Sequence, residues 1–215
     1  MLDYDSPLGR IFSTVANLLL LNFIFILTAL PLITVGASLT ALYTATINLV
    51  RQDGESPVKV YFRAWKKNFG RSTLLWLASL MVLAVMVLDA LFFRRIGFPG
   101  ASLLFYFSVV CIIAFLVVLT YLFPVQSTFY TTFWAAFKNA ALFPLAFPVD
   151  ALILSAITFV PVVLLLTHFA QLLIGFLTLY VFIGFSLQAY INAFIFDKIF
   201  KQYTGAVGGK FAVKR

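Results

Sequence analysis

Five of the uncharged polar side chains inside the long apolar runs of this chain are its first candidates for chemistry. Amides and hydroxyls that are removed from water must be hydrogen-bonded by protein, by trapped water or by a bound solute. One interpretation is a polar cavity that binds a small solute, and the other is packing between neighbouring helices. The ligand-binding candidates are Asn22, Thr44, Asn48, Gln188 and Asn192.

Small or polar residues recur every four positions in two of these runs. A four-residue spacing places side chains on one face of a helix. Such a face allows another helix to approach closely and offers hydrogen bonds across the contact. The first stripe is Gly36, Thr40, Thr44 and Asn48, and the second is Tyr180, Gly184, Gln188 and Asn192.

Acidic residues are scarce in the apolar runs. Placing a carboxylate at the centre of a bilayer costs at least ~2.5 kcal/mol, so the role of an acidic residue depends on how deep in the bilayer it lies. Asp89 is near the end of one run, with Arg94 and Arg95 beyond it, which indicates snorkelling or pairing with an arginine. Asp150 follows Pro148 at the start of another run, where a helix N-terminus stabilises a negative charge.

Catalytic and metal-binding patterns are missing from the sequence. His168 is the only histidine, and Cys111 is the only cysteine and lies in an apolar run. The chain has no His-Glu-x-x-His motif and no phosphate-binding loop of the Gly-x4-Gly-Lys-Ser/Thr type. We therefore expect no enzymatic activity, no catalytic residue, no cofactor and no metal site.

The composition decides the class of protein that carries these residues. The chain has 215 residues, of which 63% are hydrophobic, 18% aromatic and 10% charged. A soluble domain of this size could not bury so much apolar surface, and soluble domains carry about 25% charged residues. A soluble enzyme, a disordered chain and a disulfide-rich secreted scaffold are thereby excluded.

The lengths of the apolar runs predict an all-α polytopic transmembrane helical bundle with about six spans. A span needs about 20 residues to cross the hydrocarbon core. All spans belong to one membrane domain over residues 1–215, with a polar cytoplasmic tail at 197–215. The predicted spans are 11–30, 34–50, 72–93, 101–123, 149–166 and 171–196.

The break between the first two spans admits two interpretations. Pro31 removes a backbone donor, but almost no loop separates the two apolar runs at residues 30–34. Either a tight hairpin reverses the chain there or one long helix bends near Pro31. The hairpin is favoured because Thr34 could cap a new helix.

A basic, aromatic segment lies between the second and third spans. As a helix, residues 58–69 place Val58, Tyr61, Phe62, Trp65 and Phe69 on one face. This pattern predicts an amphipathic interfacial helix that either lies among lipid headgroups or docks a cytoplasmic partner. The residues of this partner or lipid surface are Lys59, Arg63, Trp65, Lys66 and Lys67.

The distribution of basic residues predicts the orientation. The formal net charge is +8, which in a membrane protein reflects cytoplasmic loops and not nucleic-acid binding. With residues 51–71 in the cytoplasm, only Arg94 and Arg95 of the 15 Lys and Arg residues fall outside. Both termini are then cytoplasmic.

The N-terminal third resembles the YesL family of bacterial membrane proteins, also called the domain-of-unknown-function 624 family. The resemblance rests on Leu-Asn at 21–22, Leu-Pro at 30–31, Thr-Val-Gly-Ala at 34–37, Ala-Leu-Tyr at 41–43 and Phe-Arg-Ala-Trp-Lys-Lys-Asn-Phe at 62–69. Trp65 stands where phenylalanine is expected. The resemblance implies a multi-pass protein of the bacterial inner membrane, found beside carbohydrate-uptake systems, with no catalytic residues to transfer.

Two functional hypotheses follow. The first is a non-enzymatic accessory component of bacterial carbohydrate uptake that contacts the lipid bilayer and associates with a transporter. The alternative is a self-contained carrier or channel for a small solute, with a polar cavity between spans one, two and six.

Overall fold

Every described element of the chain is helical. The computed structural model describes residues 7–96, 98–129, 132–166, 175 and 177–206. His168 and the basic residues beyond Ala206 therefore lie outside the described residues. The α-helices are α1 (Pro7–Ala29), α2 (Val35–Arg51), α3 (Pro57–Arg95), α4 (Ala101–Thr128), α5 (Phe133–Ala146), α6 (Pro148–Leu166) and α7 (Phe185–Ala206), with a 3-10 turn at Leu32–Thr34 and a π-helical turn at Tyr180–Gly184.

Five helical stretches are long and apolar enough to cross a membrane: α1, α2 with its preceding turn, α3, α4 and Leu177–Thr204. Helices α5 and α6 meet at an angle of 108° and could together supply a sixth span. The chain is a multi-pass, all-α membrane protein, as the composition predicted. Helix α7 continues to Ala206, so part of the segment predicted to be a polar tail is helical.

The chain reverses direction between α1 and α2. The Ser38 hydroxyl in α2 donates a hydrogen bond of 3.0 Å to the Thr28 hydroxyl in α1, ten residues earlier. In one continuous helix these residues would be about 15 Å apart. Thr34 makes no side-chain cap to α2; its hydroxyl instead donates to the Thr28 carbonyl at 2.6 Å. The hairpin interpretation is confirmed, but Thr34 stabilises the end of α1 and not the start of α2.

Helix α2 lies at the centre of the bundle and packs against α1, α3, α4 and α7. Ala37, Ala41 and Ala45 are fully buried, which lets the neighbouring backbones approach closely. A Cβ atom at Gly36 would lie 2.3 Å from the Ser72 carbonyl oxygen of α3. The small-residue stripe predicted from the sequence is therefore a packing surface at this position.

The basic segment 58–69 is helical, but it is not a separate interfacial helix. It forms the first three turns of α3, which continues without interruption for 39 residues to Arg95. Its buried side is also rotated from the predicted face: Val60, Tyr61 and Ala64 are buried, whereas Phe62 is 41% exposed. Packing against α2 decides which side of α3 is buried. A small residue such as Ala64 lets the two helices approach more closely than an aromatic ring such as Phe62 would.

The two acidic residues of the apolar runs differ in their partners. Asp89 accepts a hydrogen bond of 3.2 Å from the Ser108 hydroxyl of α4. Within the described residues it has no ion pair with Arg94 or Arg95, so of the two predicted alternatives the arginine pairing is wrong, and snorkelling stays a prediction. Asp150 lies in the first turn of α6, as predicted, and pairs with Lys198 of α7 at 3.4 Å.

Candidate functional site

A cavity of about 280 Å³ lies between α2, α3, α4, α6 and α7. Aliphatic and aromatic side chains from all five helices form most of its wall, and four side chains add polar groups. Helix α1 supplies none of the lining residues. The lining comprises Leu39, Leu42, Tyr43, Trp76, Leu116, Leu119, Thr120, Phe123, Thr158, Phe159, Phe185, Gln188 and Ala189.

Gln188 is the one predicted ligand-binding residue that lines this cavity. Its Oε1 accepts a hydrogen bond of 2.8 Å from the Tyr180 hydroxyl. Its Nε2 lies 3.4 Å from the carbonyl oxygens of Ile157 and Thr158. The Ile157 carbonyl lacks its normal helical donor because Pro161, four residues later, has no N–H. Gln188 thus reaches a backbone acceptor that a proline within α6 has released.

Asn192 is fully buried beside the same cavity. Its Nδ2 lies 3.4 Å from both the Tyr43 hydroxyl and the Thr158 hydroxyl, two lining groups. Its Oδ1 is buried and has no hydrogen-bond partner in the described part of the chain. An unpartnered buried amide oxygen is costly in a low-dielectric interior, so this end of the cavity has unused polar capacity.

The remaining polar candidates lie elsewhere. Asn22 is buried between α1 and the π-helical turn, and its Nδ2 donates to the Val181 carbonyl at 2.7 Å. The Thr44 hydroxyl donates to the Thr40 carbonyl of its own helix. Asn48 donates to the Asp53 carboxylate in the α2–α3 connection. The structure therefore brings together Gln188 and Asn192 but separates both from Asn22, Thr44 and Asn48.

Two ion pairs join the end of α2 and the start of α6 to the middle of α7. Arg51, the last residue of α2, lies 2.7 Å from the Asp197 carboxylate of α7, which also pairs with Lys201 at 2.6 Å. The Lys198–Asp150 pair connects the same part of α7 to the start of α6. The C-terminal end of α2, the N-terminal end of α6 and the middle of α7 therefore lie close together.

Aromatic rings separate this ionic layer from the cavity. Phe196 makes edge-to-face contacts with Tyr43 at 5.8 Å and with Tyr121 at 5.3 Å between ring centroids. Phe196 and Tyr121 are fully buried. Closely packed apolar rings therefore lie between the cavity residue Tyr43 and the ion pairs among the described residues.

The first turns of α3 present a basic surface, which we call the basic ridge: Lys59, Arg63, Lys66 and Lys67. All four side chains are exposed, while the buried Tyr61 and Ala64 hold the opposite side of the helix in the core. Arg63 makes two hydrogen bonds to Glu55, one of 2.7 Å. That guanidinium lowers the pKa of the Glu55 carboxyl below its ordinary value. Trp65 is half-buried and stacks edge-to-face on Phe69 at 4.8 Å.

Sequence reasoning missed three residues of these sites. Tyr43 and Thr158 supply the hydroxyls of the cavity, and Asp197 supplies the central carboxylate of the ion pairs. A hydroxyl in an apolar run carries little signal by itself, because it can bond to its own helix. The Asp197–Lys201 spacing of four residues was a detectable sign of an ion pair on one helix face.

No group of three or more metal-ligating side chains occurs among the described residues. The geometry found there consists of hydrogen-bonding groups beside an apolar cavity, surface cations and structural ion pairs. This arrangement can bind a molecule or a partner surface.

Comparison with known families was informative for the N-terminal region. Residues 18–90 match the family described as "Protein of unknown function, DUF624". This region is similar to that family. The matched residues cover most of α1, all of α2 and α3 as far as Ala90, so the matched region contains the hairpin, the central helix and the basic ridge. No curated protein and no solved structure matches the chain.

Proposed function

We propose that this DUF624 protein is a non-enzymatic accessory component of bacterial carbohydrate uptake, and that it associates with a transporter through the basic ridge of α3. One observation supports the association: four cationic side chains are exposed on one side of α3, while the other side of that helix is buried in the bundle. The carbohydrate element rests on the resemblance to the YesL family. We place the protein in the bacterial inner membrane with both termini in the cytoplasm.

The basic ridge suits a protein partner because its backbone is already ordered. Tyr61 is fully buried, and its hydroxyl lies 2.6 Å from the Thr28 hydroxyl of α1. Helical backbone and a packed inner side mean that little conformational freedom is lost on binding. An acidic cytoplasmic surface on the transporter would complement the ridge, and such complementarity favours association and selects partners.

Charge reversal on the ridge tests the association. The double variant Lys59→Glu, Lys66→Glu leaves the Arg63–Glu55 pair in place. We expect it to lose co-purification of the transporter and to reduce carbohydrate uptake in cells, while the variant protein still accumulates in the membrane. Lys138→Glu changes an exposed cation on α5 and is the matched control. Unchanged co-purification and unchanged uptake in the double variant would refute docking through the ridge.

A second candidate function is favoured by the cavity. A carrier or channel needs a solute site inside the bundle, and the cavity with Gln188 at its wall is a position for one. Purified protein in proteoliposomes, without any other protein, distinguishes the candidates. Solute flux in that preparation supports the carrier, whereas uptake that requires the co-purifying transporter supports the accessory role.

A further inference from the structure

The chemistry of the cavity narrows what it can hold. Nine of its thirteen lining residues are leucine, alanine, phenylalanine or tryptophan. The one tryptophan, Trp76, donates its ring N–H to the Leu32 carbonyl. None of the described lining residues is charged. Moving an ion into such surroundings would leave its charge unpaired, which is far more costly than burying a neutral group. The occupant is therefore neutral.

The polar groups of the cavity are gathered at one end. Tyr43 and Thr158 both lie within 3.4 Å of Asn192, and Gln188 reaches the Thr158 carbonyl at the same distance. The fourth polar side chain, Thr120, turns its hydroxyl back to the Leu116 carbonyl at 3.2 Å. The cavity thus has one polar end, built by α2, α6 and α7, and a mostly apolar remainder.

The polar end has donors to offer. The Tyr43 and Thr158 hydroxyls each accept from Asn192, and neither donates a hydrogen bond to another residue in the described ranges. A hydroxyl proton without an acceptor in a membrane interior is unfavourable, so a bound oxygen atom would be stabilised there.

We propose that this cavity binds a neutral, largely apolar molecule that carries one hydrogen-bond-accepting oxygen. Its oxygen accepts from Tyr43 or Thr158, and its apolar body lies against Trp76, Phe123 and Phe159. The volume is about twice the ~150 Å³ of an engineered apolar cavity that holds benzene, which limits the body to a short chain or a small ring system.

A free sugar does not fit this site. Each of its several hydroxyls would leave water, and only the oxygen at the polar end would find partners. An unsatisfied buried hydroxyl costs about 1–3 kcal/mol, so three or four of them would cancel any gain from stacking on the aromatic rings. The cavity therefore argues for a small lipid-like ligand, such as a medium-chain alcohol.

We expect such a molecule to enter the cavity from the bilayer side. Leu116 of α4 and Phe159 of α6 line it and are only half-buried, so an apolar ligand can reach it between these helices. This inference rests on the cavity alone and not on the proposed transporter association, so the two can fail separately.

A photoreactive octanol that carries a diazirine tests the proposal on the full-length protein in detergent. We expect light-induced adducts on the lining residues, identified by mass spectrometry and suppressed by excess octanol. Thr158→Val keeps the side-chain shape but removes a donor, and we expect it to weaken octanol competition about 5- to 10-fold, the equivalent of one hydrogen bond of about 1 kcal/mol. A diazirine-carrying octane without the hydroxyl should label wild type and variant alike.

Further variants and competitors keep the test decisive. Ala189→Leu fills the cavity from α7, and with the protein still monodisperse it should abolish the saturable adducts. Adducts confined to lipid-facing residues such as Leu103 and Val110, without saturation, would overturn the proposal, and so would competition by glucose in place of octanol.

Discussion

Asn22 Oδ1 in α1 lies 3.0 Å from the backbone nitrogen of Ser186 and accepts its hydrogen bond. The same amide donates through Nδ2 to the carbonyls of Tyr180 and Val181, in the π-helical turn that precedes α7. A π-helical turn shifts the normal hydrogen-bond register, and one buried side chain here supplies both a donor and an acceptor to it. Asn22 therefore holds the first and last spans of the chain together.

Replacing Asn22 with leucine should destabilise the protein by about 1–3 kcal/mol, because a buried donor and buried acceptors lose their partner. The measurement is the free energy of unfolding in mixed micelles with increasing sodium dodecyl sulfate. Asn17→Leu is the matched control, since Asn17 is half-buried on the same helix and makes no side-chain hydrogen bond to a described residue. Equal stability of the two variants would contradict the role of Asn22.

Gly36 and Gly70 form a second matched pair. Gly36→Ala should cost about 1–3 kcal/mol, because its Cβ would meet the Ser72 carbonyl at 2.3 Å and the Trp76 Cβ at 2.6 Å. Gly70 has no atom within 4 Å of an added Cβ and lies inside α3, so Gly70→Ala should stabilise the protein by about 0.5–1 kcal/mol. If the unfolding midpoints of Gly36→Ala and Gly70→Ala moved in the same direction, the close contact between α2 and α3 at Gly36 would be contradicted.

The Arg51–Asp197 pair should show measurable coupling in a double-mutant cycle. The Asp197 side chain is only 8% exposed, so Arg51→Gln leaves a largely buried carboxylate with Lys201 as its remaining partner. We expect Arg51→Gln and Asp197→Asn to be less than additive by about 0.5–1.5 kcal/mol. The corresponding cycle for Lys198 and Asp150, whose lysine is 60% exposed, should give a coupling near zero. Equal coupling in the two cycles would contradict this assignment.

Glu55 offers a direct test of the α2–α3 connection by pH titration. It is the only glutamate in the chain, so glutamate labelled with ¹³C gives one carboxyl resonance. The Arg63 guanidinium lowers the pKa of Glu55, so its midpoint should fall below the ordinary ~4.3. Any stabilisation from this pair is complete above the ordinary pKa and is lost as the pH falls through the lowered one. Arg63→Gln should return the midpoint toward the ordinary value; an unchanged midpoint would refute the pairing.

Much of the fold could be predicted because a bilayer imposes it. The runs 11–30 and 101–123 are too long and too apolar for any other environment, and α1 and α4 start within a few residues of the predicted limits. Three helices extend well beyond the predicted spans: α3 begins at Pro57, α4 continues to Thr128 and α7 continues to Ala206. The break at Pro31 was readable because proline cannot continue the hydrogen-bond ladder. These are local properties, and local physics is sufficient for them.

The candidate site was less predictable because it depends on neighbours far apart in the chain. Gln188 and Asn192 share a helix face with Gly184, but only packing against α6 shows that they meet Thr158 and the carbonyl released by Pro161. Asn22 has the same side chain as Asn192, but it lies outside the cavity and hydrogen-bonds a π-helical turn.

The sequence by itself determined that the chain suits a lipid bilayer, that it is helical and roughly where its apolar runs lie, because the length and hydropathy of each run can be read directly from the residues. Only the tertiary structure decided which side of α3 is buried, which polar groups meet and where the cavity lies. Those outcomes depend on contacts between residues such as Tyr43 and Asn192, 149 positions apart, and no local pattern records them.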